Sequence, residues 1–175
     1  MKNILIYHVG QLGDTLVLFP AIDAIKAKYQ NSNIILLTDK HSEKNYVSSW
    51  DVLKITPYID QVIFYEPNKI SKFSYIYGLI KELRGIKPSE IYNLVLRVNL
   101  KSKWRDHLFF KILFSSSKYI DMDVINYPPL KNNNNTLDYI TPQWQRIVNK
   151  VCKDGKISKI QLPIHGESYK SLEVK

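Results

Sequence analysis

Apolar residues along the chain recur with two alternating periods. Residues 3–9 (NILIYHV) form a short β-branched run that stops at Gly10, and from 15 to 29 the positions Leu16, Phe19, Ile22, Ile25 and Tyr29 fall at steps of three and four. That pattern predicts strand, tight turn, helix. Pro20 lies inside the helical stretch and is expected to kink or restart it, because it lacks an N–H and its ring crowds the preceding turn. Residues 33–38 (NIILLT) show almost no alternation, as expected of a parallel strand covered on both faces. Residues 42–49 suggest a short helix, 61–65 (QVIFY) a third strand, and 71–84 a helix ended by Gly85. The stretch 90–96 (EIYNLVL) predicts a fourth strand, 102–114 a helix, 118–121 a short strand, and 142–152 a last helix with Pro142 early and Gly155 beyond it. Strands alternating with helices imply right-handed crossovers and an α/β fold, a parallel sheet with helices on both faces.

Residues 127–136 (YPPLKNNNNT) cannot continue either period and are expected to be an exposed loop. After Gly155 the chain turns polar, which predicts one domain over 1–164 and, over 165–175, a tail or the start of a connection to another domain. The length of 175 residues, with 45% hydrophobic and 12% aromatic, suffices for one core and excludes disorder. The 25 Lys and Arg against 16 Asp and Glu, formally +9, favour anionic partners. A genome rich in A and T would produce the same excess of Lys, Ile, Asn and Tyr, so the charge alone selects no partner. Cys152 is the single cysteine, which excludes an internal disulfide framework and a multi-thiolate zinc site. No apolar run approaches the roughly 20 residues needed to span a bilayer, and the first nine residues are too short for a secretion signal, so a cytoplasmic location is expected.

In an open parallel sheet, ligands bind beyond the carboxyl ends of the strands. The first such loop reads Gly10-Gln11-Leu12-Gly13-Asp14. Its two glycines are expected to allow a sharp turn and close approach of a ligand, but they supply only part of the GxGxxG of a dinucleotide site. Asp39, ending the second strand, stands where a ribose-binding acid would. Asp14 argues against a pyrophosphate at that spot, since its carboxylate already occupies the positive end of the following helix. Two readings of Asp14 stay open together: an N-cap for that helix, and a general base at the mouth of the crevice.

The opening ILIYHVGQLGDTLVLFPAIDAIKAKYQNSNIILLTD resembles the amino-terminal signature of glycosyltransferase family 9, the ADP-heptose:lipopolysaccharide heptosyltransferases. The matching parts are Gly13-Asp14-Thr15 for the family's G-D-[TV] turn and Phe19-Pro20-Ala21-Ile22 for its T-P-A-L-like segment. Ile59 to Ile63, Ile80 to Arg84, Glu90 to Leu96 and Trp144 to Val151 agree in order with later elements, so the resemblance covers the chain to about residue 164. It implies a Rossmann-like domain, the amino-terminal, acceptor-side half of a two-domain GT-B fold. It also implies a metal-independent, inverting transfer with Asp14 as base, no cofactor, and a nucleotide-sugar donor such as ADP-heptose held largely by a second domain. The implied acceptor is a lipopolysaccharide core or related glycan at the cytoplasmic face of the inner membrane.

By the same resemblance Gly13, Gln11, Thr15 and His8 are acceptor-side residues; for His8 two readings stay open, contact with an acceptor phosphate and a partly buried histidine at the strand end. Lys69 and Lys72 stand where the family places basic acceptor contacts, although the sequence carries no dense Arg cluster there. Arg97 and Lys101, past the fourth strand, are candidates to pair with acceptor phosphates, and Tyr75 and Tyr77 offer stacking surface for sugars. The stretch 101–118 (KSKWRDHLFFKILFSSSK) fits either a helix packed on the sheet or one lying on an anionic membrane. No nucleic-acid motif accompanies it, and His41, His107 and His165 have no metal-ligand spacing. A non-catalytic glycan-binding module and a dinucleotide-binding domain are the alternative readings.

Overall fold

The computed structural model describes residues 1–41, 46–95 and 100–121. The loop at 127–136, the helix at 142–152, Arg97, and the boundary at 164 lie outside the described residues. Among the described residues five strands form one parallel sheet: β1 (Lys2–Tyr7), β2 (Ser32–Asp39), β3 (Gln61–Tyr65), β4 (Glu90–Asn93) and β5 (Lys118–Asp121). Their spatial order is β3-β2-β1-β4-β5, with every neighbouring pair parallel. The connections carry α1 (Leu12–Lys28), α2 (Ser49–Leu53), α3 (Phe73–Ile86) and α4 (Leu100–Leu113), and a 3-10 turn at Pro67–Lys69 precedes α3.

The chain first winds outward from β1 through β2 to β3, then returns to β4 on the other side of β1. Right-handed crossovers in opposite directions place their helices on opposite faces. Accordingly, Ile4 and Ile6 of β1 pack with Leu18, Ile22 and Ile25 of α1 and Leu53 of α2. On the other face, Leu5 and Tyr7 pack with Leu83 and Ile86 of α3 and with Phe110 and Phe114. This two-sided burial explains why NIILLT shows no alternation.

Several boundaries differ from the sequence pattern. β1 ends at Tyr7 rather than residue 9: the His8 backbone N–H still donates to the Leu37 carbonyl of β2 at 3.1 Å, and the chain turns into the loop after it. The first helix begins at Leu12 instead of residue 15 and runs unbroken past Pro20 to Lys28. Pro20 removes only the hydrogen bond to the Leu16 carbonyl. The expected short helix at 42–49 is replaced, within the described residues, by α2, which starts at Ser49. Ser48 caps it in a reciprocal box with Asp51, whose Oδ2 accepts from the Ser48 backbone N–H at 3.1 Å. Helix α3 continues through Gly85 to Ile86 and stops at Lys87, which adopts the left-handed conformation with φ 48°. The helix has to end there because Pro88 follows and disfavours helical backbone at the residue before it.

Lys87 is exposed and holds a conformation that costs a residue with a Cβ about 1–2 kcal/mol. Lys87→Gly is therefore expected to raise the unfolding free energy by up to about 1 kcal/mol, read as a higher urea midpoint at unchanged slope. An unchanged or lower midpoint would show that the end of α3 is not strained.

Candidate active site

The loop after β1 lies beside the point where the sheet reverses direction, where open α/β sheets bind ligands. Asp14 is exposed there, at the third position of α1. It is not the N-cap, a place taken by Gln11. The Asp14 carboxylate instead reaches back to accept from the Gln11 backbone N–H at 3.3 Å, so it still satisfies a free donor of the helix start. One carboxylate oxygen is thus held by the backbone while the group remains open to solvent.

Two glycines flank this arrangement and do different work. Neither has positive φ, so the turn needs no left-handed residue. Gly10 is required by crowding: a Cβ on it would stand 2.8 Å from Asp14 Cβ and 3.1 Å from His8 Cε1. Gly13 has nothing within 4 Å of the same added atom. Its open surroundings leave room beside Asp14.

Beneath the loop is a small polar network. The Ser49 hydroxyl, at the start of α2, donates to the Gly10 carbonyl at 3.0 Å and lies 3.1 Å from Thr15 Oγ1. Thr15 in turn donates to the Gln11 carbonyl at 2.9 Å. His8 Nε2 lies 3.4 Å from the Thr15 hydroxyl, and both residues are wholly buried. Burial pushes the His8 imidazole down to about 4, against the pull of the Asp14 and Asp39 charges, so the ring is neutral at physiological pH.

The sequence-derived candidates therefore separate by depth. Gln11, Gly13 and Asp14 are exposed on the loop, whereas His8 and Thr15 lie below it and support it without reaching the surface. Lys69 and Lys72 stand past the carboxyl end of β3, two strands from β1, or about 10 Å in sheet spacing. Lys69 Nζ pairs with Glu66 at 2.8 Å. Lys101 lies in the first turn of α4. The Tyr75 hydroxyl accepts from the Glu66 backbone N–H at 2.6 Å, while Tyr77 is exposed.

Asp39 is not presented as a ribose acid would be. It is buried at the end of β2, where its Oδ2 accepts from Tyr46 at 2.7 Å and lies 2.8 Å from His41 Nε2. Burial, with the bond to Asp39 adding to it, raises the Tyr46 hydroxyl above its usual range and keeps it a donor. The sequence reading missed Ser49 and the Asp39 cluster. The S-x-x-D spacing of Ser48 and Asp51 was a local signal for the start of α2, whereas nothing local links Ser49 to Gly10 across 39 residues. Among the described residues no group of three or more His, Cys, Asp or Glu could hold a metal, and no helix is long and apolar enough to cross a membrane.

Gly10→Ala is expected to lower stability by about 1–3 kcal/mol through overpacking, while Gly13→Ala raises it by about 0.5–1 kcal/mol, both read from urea midpoints. Equal effects at the two positions would contradict the crowding at Gly10. For His8, the folded chain refuses a proton that the unfolded chain accepts. Its contribution is therefore full above pH 6.5 and declines as pH falls toward about 4, by on the order of 3 kcal/mol. In His8→Gln this part of the pH slope should vanish. A variant that keeps the wild-type slope between those pH values would assign it elsewhere.

The sequence matches no family model and no curated protein. Solved structures do match. A family 9 glycosyl transferase from Veillonella parvula DSM 2008 aligns over 92% of this chain and 44% of its own, at 18% identity and a TM-score of 0.55. The E. coli heptosyltransferase WaaC, solved with ADP-2-deoxy-2-fluoro heptose, aligns over 91% of this chain and 51% of its own, at 9% identity and a TM-score of 0.54. The chain spans about half the length of these structures, and at such identities the likeness is one of fold. The chain has the Rossmann-like fold of one half of a family 9 glycosyltransferase.

Proposed function

We propose that this chain is the acceptor-side half of a metal-independent, inverting glycosyltransferase, and that Asp14 is its base. The reading is carried by the position of the Asp14 carboxylate: exposed, beyond the carboxyl end of the central strand, and held by the Gln11 backbone N–H. A sugar hydroxyl seated over the open side of Gly13 would lie beside that carboxylate. Asp14 takes the hydroxyl proton as the oxygen bonds to the anomeric carbon of the donor, and the bond from that carbon to the diphosphate breaks, with its electrons leaving on the nucleoside diphosphate. Departure of an anion needs cationic or N–H partners, which this reading assigns to a second domain across the crevice.

The donor class is proposed from the likeness to WaaC, whose structure holds an ADP-heptose analogue. By the same reasoning the acceptor is a lipopolysaccharide core or related glycan, worked on at the cytoplasmic face of a membrane. Lys69, Lys72, Arg97 and Lys101 are proposed as its phosphate contacts. The dinucleotide-binding alternative is weakened by Asp39, which would have to leave its Tyr46 and His41 partners to meet a ribose.

In a protein carrying both domains, Asp14→Asn should lower kcat for transfer from a nucleotide sugar by about 10²–10⁴-fold, with the melting temperature and the response to EDTA unchanged. Retained turnover would remove Asp14 as the base. Absence of transfer by the unmodified protein from any nucleotide sugar, with retained binding of anionic glycans, would favour the non-catalytic module.

A further inference from the structure

Helices α3 and α4 share one face of the sheet but do not close on each other at its carboxyl end. Between them lies a cavity of about 380 Å³, within the range of about 300–1,000 Å³ common to small-molecule sites. Its floor is Tyr7 and Leu37, and its walls are Ile76 and Leu79 of α3 with Phe109 and Phe110 of α4. It is on the face away from α1, and so is separate from the Asp14 loop.

Few polar groups line it. The Tyr7 and Tyr65 hydroxyls stand 3.4 Å apart at the strand ends. Arg105 and Asp106 line another part, where Asp106 is buried and accepts from Arg105 Nε at 3.2 Å and Nη2 at 3.0 Å. The Arg105 side chain is 67% exposed and commits two of its five donors to Asp106. A sugar or a base inside such walls would leave its polar atoms unpaired, at a cost that apolar contact does not recover. A hydrocarbon chain incurs no such cost. Ile70 lines the cavity while remaining 42% exposed, so the apolar lining continues to the solvent.

From this lining, the volume and the cation at the edge, we propose that the cavity binds one hydrocarbon chain of an amphiphile whose anionic head meets Arg105. The pair with Asp106 leaves the Arg105 head mostly in solvent with three of its five donors uncommitted to that carboxylate, while Asp106 itself is buried, and the chain's formal charge of +9 also favours an anionic over a cationic head. This site does not depend on the glycosyl-transfer reading, and its test uses no activity.

The probes are dodecanoate, dodecanol and dodecyltrimethylammonium, titrated below their micelle concentrations into the full chain by calorimetry. Saturable 1:1 binding of dodecanoate is expected, together with a raised melting temperature. Leu79→Trp, which fills the cavity, should weaken it at least tenfold. Should that variant melt early, Ile76→Phe is the milder filling and should weaken it severalfold. Arg105→Gln should weaken dodecanoate severalfold and leave dodecanol unchanged. The proposal is overturned by absence of saturable binding, by full affinity in a folded Leu79→Trp, or by tighter binding of the ammonium. It is likewise overturned if Leu108→Ser, on the exposed face of α4, abolishes binding while the cavity variants do not.

Discussion

The described domain depends on β1, which is hydrogen-bonded along both edges and covered on both faces. Ile4, Leu5 and Ile6 have no exposed surface, and each packs into one of the two cores. A strand in that position must be apolar at successive residues, and its neighbours on either side must be reached by crossovers running in opposite directions. That reversal separates the connections at the carboxyl end of β1 and leaves a crevice there. The loop carrying Asp14 is the first piece of chain out of β1, so the place of the carboxylate follows from the topology before any catalytic reading is made.

Holding that loop has an energetic consequence below it. Past the His8 N–H the backbone leaves the sheet, and the carbonyls of the loop need partners that the ladder no longer supplies. Ser49 and Thr15 supply them at Gly10 and Gln11. Bringing α2 and the loop this close also buries His8, whose neutral ring fills the space under Gly10. The imidazole is retained in a form that cannot carry charge at physiological pH, which separates it from the role of a phosphate contact. The anion-attracting element of the loop is instead opposed by Asp14 itself, whose charge stands at the helix start. A neutral hydroxyl is a better occupant than a phosphate on electrostatic grounds.

How much of this was legible in the sequence depends on the range of the interactions involved. The order of elements, the parallel sheet and the helices on both faces follow from local hydrophobic period, and the strands at 33–38, 61–65 and 118–121 lie where the pattern places them. Helix ends were harder because competing local signals had similar strength. Gly85 looked like a stop, yet the helix runs to Ile86 and ends at Lys87 in the left-handed region, one residue before Pro88, which disfavours helical backbone at the residue before it. Asp14 suits the N-cap and the third helical position alike, and only the chain's path out of β1 decides between them. Burial of polar residues was legible only for His8, from its place at a strand end, whereas Thr15, Ser49 and Asp39 acquire their partners through packing that no local pattern shows.

A parallel sheet of this kind hosts many chemistries, so the fold alone does not select one. The selection rests on which carboxylate is left unoccupied at the switch point. Asp39 and Asp14 both stand at the carboxyl side of the sheet, but Asp39 is buried among Tyr46, His41 and Thr38, and any ligand reaching it must first displace those hydrogen bonds. Asp14 makes one backbone bond that is compatible with a second partner, since an ionised carboxylate accepts at several lone pairs. A group with free accepting capacity at a solvent-open site can receive a proton from an incoming hydroxyl without dismantling its own support. That difference in environment between two acids of the same type is the reason the base is proposed at Asp14 and not at Asp39.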